Sequence, residues 1–129
     1  MQDPETAKIA PGGAHVKTRI RTLRIGDQVF AWTGRVGHTT GDGACRRYVR
    51  LRVWGGGKNG RPLQADLLST FEGGPWGYCA TDTAFPTPRD VRVVVDHALA
   101  SGWDPAARGG VFLVQDNPSA LTGFVITDR

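Results

Sequence analysis

Residues 45–54 read Cys45-Arg46-Arg47-Tyr48-Val49-Arg50-Leu51-Arg52-Val53-Trp54, and their alternation decides the fold. Side chains in an extended chain point to opposite faces in turn, so Val49, Leu51 and Val53 share one face while Arg46, Tyr48, Arg50, Arg52 and Trp54 share the other. An all-apolar strand would demand burial on both sides. This one demands it on one side only, which is the signature of an antiparallel sheet with one face packed and one face left open.

Working outward, residues 16–25 also alternate, with Val16, Thr18, Ile20 and Thr22 on one side and Lys17, Arg19 and Arg21 on the other. The alternation slips at Leu23-Arg24-Ile25. Gly26-Asp27 marks a turn, residues 28–36 (QVFAWTGRV) have the aromatic and β-branched content of a second strand, and residues 37–43 (GHTTGDG) have the composition of a loop. Downstream, residues 55–61 (GGGKNGR) invite a phosphate-loop reading. A nucleotide loop ends in Gly-Lys-Ser/Thr and leads into a helix. Here Asn59-Gly60 sits between strand-like runs and Pro62 follows, so the stretch is a hairpin. Residues 63–71 return as a fourth strand with Leu63, Ala65 and Leu67 on one face.

Residues 72–86 hold Trp76, Tyr78 and Phe85, the pins of an ordered loop. Thr87-Pro88-Arg89-Asp90 then starts a helix, with Thr at the N-cap, Pro at the first position and a carboxylate at the third. Val91, Val94, Val95, Ala98 and Leu99 make one apolar stripe, and this helix covers the sheet. Gly102 can take the left-handed cap conformation, Trp103 packs back beyond it, and Pro105 forbids continuation. Residues 111–115 form a short apolar strand, and residues 121–127 a last strand or a tail across the sheet. The expectation is an α+β domain over residues 16–129, preceded by a flexible arm at residues 1–15. It consists of a four-stranded antiparallel meander, one amphipathic helix and one or two short closing strands.

Ala98-Leu99-Ala100-Ser101-Gly102-Trp103-Asp104-Pro105, followed by Gly109-Gly110-Val111-Phe112-Leu113, resembles the ending A-L-x-x-G-W-x-P, G-x-x-F-x-L of short uncharacterised bacterial proteins of actinobacterial and planctomycete type. The likeness covers residues 87–114 best. It implies a small stand-alone bacterial domain and brings no activity with it.

The chain of 129 residues is of single-domain length. Its longest apolar runs fall well short of the roughly 18 residues of a membrane helix. Residues 1–16 carry neither the basic nor the apolar region of a signal peptide, so a cytoplasmic location is expected. Cys45 and Cys79 match no zinc spacing and read as two reduced, half-buried thiols. Nucleophilic catalysis would need one of them beside His15, His38 or His97 with an acid such as Asp96, and no local signature joins such a set. No metal pair, no cofactor motif and no carboxylate pair stands out, so the reading is non-enzymatic.

The formal charge of +4 conceals a polarised chain. Residues 17–61 hold eleven basic side chains against two acidic ones, a net of +9, and the remainder is negative. Thirteen of the sixteen positive residues are Arg, the side chain suited to bidentate contact and to stacking on rings. The candidate site is therefore the outward face of the third strand: Arg46, Tyr48, Arg50, Arg52 and Trp54, with Arg19 and Arg21 beside them. The expected function is a protein-interaction module of accessory or immunity type that binds an acidic partner. The alternative is a single-stranded nucleic-acid platform on the same face.

Overall fold

The computed structural model describes residues 19–41, 44–55, 60–70 and 84–127. The expected N-terminal arm, the ring pins Trp76 and Tyr78, Cys79 and the side chain of Cys45 lie outside the described residues. Four strands run in sequence as an antiparallel meander: β1 (Arg21–Ile25), β2 (Gln28–Gly41), β3 (Ala44–Trp54) and β4 (Leu63–Ser69). Helix α1 (Pro88–Ala100) follows, then β5 (Phe112–Leu113) and β6 (Phe124–Thr127).

The closing strands differ in direction. β6 pairs antiparallel with β4, whereas β5 pairs parallel with it, so β4, α1 and β5 form a crossover unit. Both closing strands share the edge of β4 that β3 leaves free. β5 takes Leu63 and Gln64, and β6 takes the stretch from Asp66 to Ser69. A parallel partner requires a long connection, and the helix supplies it.

The apolar faces meet as the alternation demands. Val49, Leu51 and Val53 of β3 and Leu63, Ala65 and Leu67 of β4 are fully buried against Val91, Val94, Val95 and Ala98 of α1. The helix starts with a reciprocal cap: Asp90 N–H donates to the Thr87 hydroxyl at 3.2 Å and Thr87 N–H donates to the Asp90 carboxylate at 2.9 Å. It ends in a Schellman motif, with Trp103 N–H donating to the Ala98 carbonyl at 2.9 Å and Gly102, at φ +109°, donating to Leu99.

Trp103 then turns into the core. Its ring lies 6.0 Å from Phe30 and its indole N–H donates to the Arg61 carbonyl at 2.8 Å. Pro105 follows it onto the β3–β4 connection. A Cβ on Gly55 would come within 2.7 Å of the Pro105 side chain, and one on Gly60 within 1.7 Å of its carbonyl oxygen. These glycines therefore serve close backbone approach, and the G-W-x-P run has a complete structural purpose.

Two expectations from the sequence are corrected. Residues 37–41 are strand, not loop, because β2 pairs with β3 continuously from Ala31↔Trp54 to Gly41↔Ala44. Its internal glycines are covered by rings: Gly34 lies under Phe85 on the helix side, and Gly37 lies under its cross-strand neighbour Tyr48 on the open side. The slip in the first strand is also absent. Arg21, Leu23 and Ile25 share the helix-side face, because Arg21 pairs with Trp32 and its guanidinium stacks over Trp32 at 5.6 Å and Phe85 at 5.7 Å.

Candidate interaction face

The register of the sheet places Tyr48, Arg50, Arg52 and Trp54 on the face away from α1, with Thr33 and Arg35 of β2 on one flank and Gln64 and Asp66 of β4 on the other. Arg46 belongs to the same face at the far end of β3. The sequence reading of β3 is thus reproduced. Arg21 does not join it, since it lies on the helix side. Arg19 is exposed just ahead of β1.

Two of these arginines are held in place by β4. Arg50 faces Asp66 across the ladder and donates twice, Nε to Oδ1 at 2.8 Å and Nη2 to Oδ2 at 3.0 Å. The Asp66 side chain is 3% exposed, against 37% for Arg50. The carboxylate is therefore sunk in the sheet while its partner reaches the surface. The hydrogen bond to Asp66 holds the Arg50 guanidinium above its ordinary pKa and outweighs the opposing effect of partial burial. Arg52 Nε donates to Gln64 Oε1 at 2.8 Å. Both guanidinium groups are pinned at one end and keep N–H groups to offer at the other.

A groove of about 360 Å³ opens beside them, lined by Ile20, Thr33, Arg35, Arg50, Arg52 and Trp54. Ile20 is 54% exposed, so an apolar wall stands opposite three cations. Ile20, Thr33 and Arg35 were not among the residues picked from sequence. Their signal was available in the alternation of residues 28–36, but it becomes legible only once Trp32 is known to face the helix.

Other candidate chemistry is less gathered. A depression of about 210 Å³ beside the end of α1 holds His97 and Asp116, and another of about 480 Å³ holds Asp27 and Asp104. Among the described residues no three His, Cys, Asp or Glu side chains converge as metal ligands, and no helix is long and apolar enough to cross a membrane. Comparison of the chain with protein-family models, curated proteins and solved structures finds no match. The geometry of the open face is accordingly the sole guide to function.

Proposed function

We propose that the chain is a non-enzymatic interaction module, of accessory or immunity type, that binds an acidic protein partner through the open sheet face. One observation carries this reading: the groove that sets Arg35, Arg50 and Arg52 against Ile20 and Trp54. Arginine beside apolar and aromatic surface is the usual make-up of a protein-binding hot spot. The Asp66 and Gln64 contacts hold two of the cations in one geometry, which reduces the entropy lost on binding a carboxylate.

Single-stranded nucleic acid is the second reading, and the rings count against it. Base stacking needs a freely presented aromatic face. Tyr48 instead lies across Gly37, and Trp54 is half-buried. The two readings separate in one titration series. Acidic peptides and short oligo-dT strands are titrated into the wild-type chain and the Arg35→Glu/Arg52→Glu variant at several salt concentrations. Peptide binding that the variant loses supports the proposal. Tighter binding of oligo-dT with a steep salt dependence supports nucleic acid. Equal peptide binding by wild type and variant removes the face as the site.

A further inference from the structure

β2 is 14 residues long. On one side β3 pairs with it from Ala31 to Gly41. On the other, β1 pairs only from Gln28 to Trp32. Among the described residues, Thr33 to Gly41 therefore presents one edge with no strand beside it. A long open edge is a template for another strand, and native sheets blunt such edges with proline, bulges or very short strands. This stretch has none of these. It contains no proline, and its pairing with β3 runs through eleven consecutive residue pairs without a bulge.

We infer that the Thr33–Gly41 edge of β2 is a β-augmentation site that takes an extended acidic strand from a partner protein. The inference rests on the proposed function and specifies how the acidic partner docks. Backbone groups of the incoming strand would complete the ladder, and its side chains would alternate between the two faces of the sheet.

The flanking residues set what those side chains must be. On the open face the new strand would lie beside Thr33 and Arg35, next to the groove that also holds Arg52 and Ile20. Carboxylates fit there. On the helix side it would lie beside Val36, which pairs with buried Val49 yet is itself 41% exposed. A β-branched apolar residue would cover it. The partner segment is thus acidic at every second position and apolar at those between. A one-residue slip would place carboxylates on Val36 and apolar groups on Arg35, so the pattern also fixes the register.

The test uses the full chain and a fluorescent decapeptide alternating Glu and Val. Controls are a Lys-Val peptide and a Glu-Val peptide N-methylated along one edge, which keeps its side chains but cannot donate from that edge. Binding is followed by anisotropy and by amide hydrogen exchange. The expected result is binding of the Glu-Val peptide, no binding of the other two, and slowed exchange at every second amide between Thr33 and Gly41. Arg35→Glu should weaken binding by about tenfold or more, with an unchanged circular dichroism spectrum showing that the variant folds. Binding that depends on Arg35 but tolerates N-methylation and leaves these amides unprotected overturns the inference while sustaining the proposed function. Absence of any acidic-peptide binding overturns both. Protection of the same amides in the dilute, peptide-free chain, or protection that appears with protein concentration alone, assigns the edge to this chain itself or to a second copy and overturns the inference.

Discussion

The two faces of this sheet are built from the same strands and held together by different physics. On the helix side, Val, Leu and Trp side chains are buried almost completely against α1, and the Arg of that face, Arg21, lies flat over two aromatic rings. On the open side, Asp66 is as deeply buried as the core, yet it is satisfied by Arg50, whose other flank is wet. Apolar packing is non-directional and forgives repacking. A buried carboxylate depends on one partner in one geometry. The covered face therefore sets stability, and the open face sets the orientation of its cations.

That contrast can be broken most severely at Trp103. Trp103→Ala removes the ring packed on Phe30 and the hydrogen bond to Arg61, and should cost about 4 kcal/mol, read as a lowered urea midpoint. Gly60→Ala comes next. Its Cβ would overlap the Pro105 carbonyl, so the backbone must move, and a loss of about 3 kcal/mol is expected from strain at this level of overpacking. Recovery of much of that loss on combining it with Pro105→Gly would show that the contact between the two segments is the cause.

On the open face, Arg50→Ala should cost about 2 kcal/mol, less than a fully buried pair would, because Arg50 is partly solvated. The informative variant is the double one. Replacing the pair by Met at 50 and Leu at 66 should bring the urea midpoint back toward wild type, since no charge is then left buried. If the double variant is less stable than Arg50→Ala, Asp66 is doing more than neutralising Arg50.

The parts of this fold that were legible in the sequence are those governed by local rules. Helix α1, its Thr87 and Asp90 cap, its Gly102 terminus and the apolar face of β3 all follow from spacing and residue type. What was hidden depends on neighbours distant in the chain. Residues 37–41 look like a loop because they are rich in Gly, Thr and Ser-like polarity, but Phe85 and Tyr48 cover Gly34 and Gly37 and allow the strand to run on. Arg21 scores as polar, and only the rings beneath it make it a residue of the covered face. The parallel direction of β5 lies in no local pattern, since two residues carry no orientation. The candidate site was half visible for the same reason: the arginines of β3 could be read from alternation, whereas Arg35, Ile20 and the Asp66 anchor required the register.

The division of labour between the faces is tested most directly by measuring thermal unfolding and Glu-Val peptide binding side by side on Arg35→Glu. Arg35 is exposed and stands on the open face, so the unfolding midpoint should stay within about 2 °C of wild type, as for a surface substitution of about 0.5 kcal/mol or less, while peptide binding falls by about tenfold or more. Peptide binding that survives in a chain of unchanged stability would contradict the assignment of the open face.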